Sequence, residues 1–175
     1  MIGVPGSGKT TVAKFLAKTE NAIIISSDEV RLKLIGNGIF KKQEDAFTKE
    51  GNKLVFETMY KHLREIVESG NNVIVDAQNI YAWNRKNIFD ALGGLDCYYI
   101  AYVMQTNQTE CECRVEKRAI QGDNNGFDTK PQSRFTIEQR LNMLELPTKE
   151  EGFHEIKFID EKQQSEIFKL LNNTN

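Results

Sequence analysis

Met1-Ile2-Gly3-Val4-Pro5-Gly6-Ser7-Gly8-Lys9-Thr10-Thr11 opens the chain. Within it Gly3, four intervening residues and then Gly8-Lys9-Thr10 complete the phosphate-loop pattern G-x-x-x-x-G-K-[ST]. The spacing has a chemical cause. Glycines at 3, 6 and 8 let the backbone curl tightly, so that successive N–H groups point into one concavity. That concavity opens onto the N-terminus of the next helix, whose unpaired N–H groups and dipole favour bound phosphate. Lys9 is placed to reach the β- and γ-phosphates, and the Thr10 hydroxyl to ligate Mg²⁺. The plainer alternative is a Gly-rich turn with an incidental lysine. Val12, Phe15 and Leu16, at amphipathic helical spacing directly after the loop, weigh against it. Val4, Pro5, Gly6, Ser7, Gly8, Lys9, Thr10 and Thr11 are therefore read as the cradle of a nucleoside triphosphate, with ATP and Mg²⁺ the expected cofactors.

Working outward, the spacing predicts a helix from about Thr10 to Lys18. Only Met1 and Ile2 precede Gly3, so the strand that such loops follow is either very short or continues upstream of this numbering. Ala22-Ile23-Ile24-Ile25 is a β-branched run of the kind buried on both faces of a sheet. Ser26-Ser27-Asp28-Glu29 then reads as a helix start, with a capping side chain and acids in the first turn. Gly36 to Lys42 is a break, and Ala46 to Ser69 carries apolar residues on a 3.6-residue period up to Gly70. Further strands are predicted at Val73 to Asp76, Tyr98 to Met104 and Phe153 to Ile159. Helices are predicted at Asn84 to Leu92, Asn107 to Ile120, from Thr136 towards Pro147, and from Glu161 to Leu171. Gln121 to Arg134 is polar and irregular, the natural place for a flap, and the tail Asn172 to Asn175 reads as frayed. Strands alternating with helices predict an α/β fold: a parallel sheet flanked by helices on both faces, one phosphate-loop domain over residues 1–175 with a lid at about 114–140.

The bulk properties narrow the partners. At 175 residues and 39% hydrophobic, the chain can bury one sizeable core. A net charge of −2 leaves no electrostatic footprint for long duplex nucleic acid. A small substrate, or the end of a nucleic acid, fits better. Three cysteines (Cys97, Cys111, Cys113) without a secretory signal suggest reduced thiols and a cytoplasmic setting. Cys111 and Cys113 lie two apart on a helix and face apart, a poor metal pair. No apolar run reaches membrane-spanning length, so no membrane partner is expected.

Three charged clusters fall where a phosphoryl-transfer site belongs, outside the carboxyl ends of parallel strands. Asp28 and Arg31 share a helix face. Asp28 could accept a proton from an acceptor hydroxyl and Arg31 hold a phosphate on that acceptor, although a capping aspartate with an intrahelical partner has the same spacing. Asp76 closes a strand, with Asn79 three residues on; an acid in that position suits the water shell of Mg²⁺ or a substrate group. Arg114 and Arg118, four apart, precede the flap and could neutralise charge on the triphosphate, while Glu110 and Arg114 could equally form a surface pair. His62 and His154 stand without companions and read as structural.

With these residues placed, the chain resembles the 5′-hydroxyl polynucleotide kinase family of phage and bacterial end-healing enzymes, within the small phosphate-loop kinases. The resemblance runs through Gly3 to Thr10, Ser26-Ser27-Asp28-x-x-Arg31, Val73-Ile74-Val75-Asp76-Ala77-Gln78-Asn79, Arg114-x-x-x-Arg118 and Glu151-Gly152-Phe153, and so spans nearly the whole chain. It implies transfer of the ATP γ-phosphate to a 5′-OH end of RNA or DNA. By carry-over Lys9 and Thr10 hold phosphate and metal, Asp28 looks like the general base, and Arg31 like the contact to the acceptor's 3′-phosphate. One of Arg114 and Arg118 looks like the lid arginine, and Asp76 like the strand-end acid. End-healing partners such as a phosphatase or a ligase go with the family. Gln78 departs from it, standing where relatives often have threonine. Two other readings stay open: a kinase of a small metabolite or nucleoside, and a nucleotide-binding switch that transfers nothing.

Overall fold

A computed structural model of the chain describes residues 1–121 and 135–173. The predicted flap, Gln121 onward to Arg134, lies outside the described residues except for Gln121. The loop runs into α1 (Lys9–Thr19), followed by β1 (Ala22–Ser26), α2 (Ser27–Gly36), α3 (Lys49–Glu68), β2 (Asn72–Asp76) and α4 (Ala82–Ala91). The rest comprises β3 (Ile100–Gln105), α5 (Gln108–Ile120), α6 (Ile137–Asn142), β4 (Glu155–Asp160) and α7 (Glu161–Asn173). Short 3₁₀ turns occupy Gln43–Phe47 and Lys149–Glu151.

β1 pairs with β2 in parallel, Ala22 beside Asn72 through Ser26 beside Asp76. β3 pairs with β4 in parallel, Ile100 beside Glu155 through Gln105 beside Asp160. Met1 and Ile2 join the two halves. Ile2 donates to Tyr102 O at 2.8 Å and accepts from the Met104 N–H at 2.9 Å, and the Met1 nitrogen donates to Val75 O at 2.9 Å. The phosphate loop thus springs from the middle of the sheet.

Helices cover both faces because the strands are apolar on both. Ile25, Val73 and Val75 pack with Val30 of α2, with Val55, Met59 and Leu63 of α3, and with Ile88 of α4. Their neighbours Ile24 and Ile74 turn the other way, to Val12, Ala13 and Leu16 of α1 and Ile167 of α7. Val55, Met59 and Leu63, four apart along one stripe of α3, are wholly buried, and each such side chain contributes about 2 kcal/mol. The α/β architecture is the expected one, and most element ends move by a residue or two. Larger shifts have local causes. The helix expected from Ala46 begins at Lys49 because Thr48 caps it, accepting from the Gly51 N–H at 3.0 Å. The last helix continues to Asn173, past the point read as frayed.

Candidate functional site

Gly6 and Gly8 hold φ of +79° and +90°, backbone that side chains other than glycine rarely adopt. Space also forbids one: a Cβ on Gly6 would lie 2.3 Å from Cys111 O, and one on Gly8 2.6 Å from Gln164 Oε1. The loop is therefore clamped from below by α5 and α7, and its open side carries the chemistry. Lys9 donates from Nζ to Val4 O at 2.8 Å, folded back over its own loop. Thr10 donates from Oγ1 to Asp76 Oδ2 at 2.7 Å, which joins the loop to the carboxyl end of β2. A hydroxyl and a carboxylate oxygen this close suit a hard cation. Among the described residues no group of three or more His, Cys, Asp or Glu could hold a metal, so Mg²⁺ at Thr10 and Asp76 would draw its other ligands from phosphate and water. The residues fit that ion.

Burial pushes the Lys9 ammonium down to about 8, while the Asp76 and Asp28 charges pull it up and Arg118 pushes it down again. Those three side chains are thus close enough to be felt at one nitrogen. A consequence is measurable. A triphosphate favours the charged lysine, so above pH 8 binding must take up a proton, and affinity falls as pH rises. From pH 7 to pH 9 the dissociation constant for ATP should rise about tenfold by calorimetry. A flat profile would mean that Lys9 does not meet the phosphates.

On the neighbouring strand end, the Ser26 hydroxyl accepts from the Asp28 N–H at 3.2 Å and starts α2. Arg31 donates from Nη1 to Asp28 Oδ1 at 3.0 Å, from Nη2 to Asn52 Oδ1 at 2.7 Å and from Nε to Ala46 O at 3.2 Å. Its guanidinium also lies 4.7 Å over the Phe47 ring. Burial lowers its pKa and Asp28 offsets this. The side chain of Arg31 is 7% exposed and that of Asp28 47%. Arg31 therefore anchors one carboxylate oxygen to α3 and the turn before it, while the acid itself faces water.

The other expected residues spread over two layers. Arg118 donates from Nε to Arg114 O at 3.3 Å, and its charge is felt at Lys9. Arg114 pairs with Glu110 at 2.7 Å and donates from Nη1 to Gly6 O at 3.2 Å, so it braces the loop from below. Asn79, with φ of +49°, donates from Nδ2 to Met1 O at 3.0 Å and is buried; its amide ties the loop after β2 to the sheet. Val4 to Thr11 and Asp76 are joined through Thr10, and the charges of Asp28 and Arg118 are felt at Lys9. Arg31, Arg114 and Asn79 stand one layer out. His154 accepts from the Tyr99 N–H and stacks on Tyr98. All three cysteines are free thiols.

Four residues went unread from the sequence: Asn52, Thr106, Gln164 and Arg85. Arg85 is 1% exposed. It makes a bidentate pair with Glu151 at 2.7 and 2.8 Å and donates to Asn79 O and Glu145 O. The Glu151 carboxyl is held below its usual range mainly by that guanidinium. Removing one partner of such a pair strands the other. Arg85→Met should therefore cost about 3 kcal/mol in denaturant unfolding, and a loss below about 1 kcal/mol would show that the pair is dispensable.

No helix among the described residues is long and apolar enough to cross a membrane. In comparison with known proteins, the model of the AAA domain family matches residues 1–141. No curated protein matches the chain. Among solved structures it is similar to a candidate kinase from Chloroflexus aurantiacus, with a TM-score of 0.73 and 15% identity, over 98% of this chain and 94% of that one. At that identity the likeness is one of fold, an α/β domain with a phosphate loop.

Proposed function

This chain belongs to the AAA domain family, and from that premise we propose that it is an ATP-dependent kinase that phosphorylates the 5′-hydroxyl of RNA or DNA ends. The observation that carries the reading is Asp28: a half-exposed carboxylate just past the carboxyl end of β1, where Ser26 lies beside Asp76, with one oxygen fixed by Arg31 and its charge felt at Lys9. A switch that transfers nothing has no use for such a group.

The residues divide the work of phosphoryl transfer, which is mostly positioning and charge neutralisation. The loop N–H groups and the α1 terminus hold the phosphates. Lys9 leaves Val4 O for the β- and γ-phosphate oxygens. Mg²⁺, when bound at Thr10 and Asp76, neutralises charge on those oxygens. Asp28 takes the proton of the acceptor hydroxyl as its oxygen bonds to the γ-phosphorus and the bond from phosphorus to ADP breaks. Arg118 stands ready to stabilise the charge.

The resemblance to end-healing kinases favours a nucleic-acid acceptor. Arg31 supports it chemically: three of its five N–H donors serve Asp28, Asn52 and Ala46, and two are left for an acceptor phosphate. Its burial favours a second reading, a small acceptor without a phosphate, for which Arg31 only orients Asp28. Incubation with γ-labelled ATP and Mg²⁺ separates them, using a 5′-OH oligonucleotide, a 3′-nucleotide and a free nucleoside in parallel. Label on the oligonucleotide or the 3′-nucleotide, and not on the nucleoside, is the expected result. Label on the nucleoside alone would establish the small-acceptor reading. Label on none, with ATP bound, would remove all three acceptors.

A further inference from the structure

We propose that Gln164 of α7, beyond the stretch matched by the family model, is a positioning residue of the phosphate loop that sets its affinity for ATP. The proposal rests on the reading of the loop as a nucleotide site. Gln164 is 5% exposed, and a buried amide must place its donors and its acceptor. Nε2 donates to Thr106 Oγ1 at 2.8 Å and to Ile159 O at 3.3 Å. Oε1 accepts from Arg114 Nη1 at 3.0 Å. Each of the two side chains it holds in turn grips the loop. Thr106 donates from Oγ1 to Ser7 O at 2.9 Å, and Arg114 donates to Gly6 O at 3.2 Å. One amide thus links the two donors that hold consecutive loop carbonyls.

The consequence for the ligand follows from peptide geometry. In a trans peptide the N–H points opposite to its carbonyl, and no peptide among the described residues is cis. Drawing the Ser7 carbonyl down towards Thr106 therefore turns the Gly8 N–H the other way, towards the phosphate side. Gln164 also packs against Gly8 itself, since its Oε1 stands 2.6 Å from where a Cβ would be. Anchoring α7 does not require this amide, because Ile167 on the same helix already packs with Val12 and Ala13 of α1.

The test is Mg-ATP affinity of the full chain by calorimetry, with no acceptor present. Gln164→Leu should weaken ATP by about tenfold, the span for a lost buried hydrogen-bond link. Thr106→Val, which keeps the volume and loses the hydroxyl on Ser7, should weaken it similarly, and Thr106→Ser should recover most of that loss. Because the two residues act in one chain, the double variant should lose less than the sum of the singles. A folded Gln164→Leu that binds ATP as wild type does would overturn the proposal. So would a Thr106→Val that binds normally, an outcome that decides the matter even if Gln164→Leu fails to fold. Full additivity would overturn the link as well. ATP binding without transfer to any acceptor overturns the kinase reading and not this one, whereas a wild-type chain that does not bind ATP overturns both.

Discussion

Lys9→Ala is expected to lower kcat/KM by about 10³-fold or more, the span for losing a cation from the transferring phosphoryl group. The residue is the first of α1, so its backbone is fixed by the loop and substitution removes only the aliphatic stem and its ammonium. In the structure that ammonium rests on Val4 O, and the charges of Asp76, Asp28 and Arg118 act on it. Loss of the fold would not account for the result. Burial brings the folded pKa to about 8, below the roughly 10.4 of a free lysine. The charged lysine is therefore a cost to the fold that is full below pH 8 and fades as pH rises towards 10.4. Alanine removes that cost, so the variant should unfold at no lower denaturant concentration than wild type at pH 7. Activity and unfolding measured on one preparation check both halves, and substantial turnover by a folded Lys9→Ala would remove the loop lysine from the chemistry.

What the sequence made legible was whatever has a local cause. The phosphate loop is a contiguous pattern, and its glycines sit at positive φ for the reason their spacing gives. Ile24 and Ile25 announce burial on both faces because neighbours on a strand point apart, and the caps at Ser26, Asn107 and Thr136 are short-range bonds. Contacts between distant parts of the chain were not legible. Gln164 reaches Arg114 across 50 residues, and Arg85 reaches Glu151 across 66. Nothing near Gln164 in the sequence marks it except a polar residue on the stripe of Ile167 and Leu171. Arg31 shows the limit most clearly. Spacing placed it beside Asp28, as found, but its bonds to Asn52 and Ala46 O depend on how α3 and the turn before it pack, and these decide how much of the guanidinium a ligand can reach.

Asp28→Asn should cut kcat by roughly 10²–10⁴-fold, the usual span for a lost general base, while ATP binds as before. The substitution is nearly isosteric, and it spares the features that shape the site. The helix start depends on the Ser26 hydroxyl and the backbone N–H of residue 28, which asparagine keeps. Arg31 retains Asn52 and Ala46 O, and the new amide oxygen can still accept from Nη1. An acid lost from the first turn of α2 costs about 0.5 kcal/mol through the helix dipole, too little to unfold the chain. The proton acceptor is what disappears, since an amide cannot hold the proton that a hydroxyl must shed. Loss of rate with unchanged ATP affinity would therefore assign the proton to Asp28. Equal losses in both would mark it as a residue that shapes the loop, and turnover near that of wild type would leave the acceptor hydroxyl without a base at this strand end.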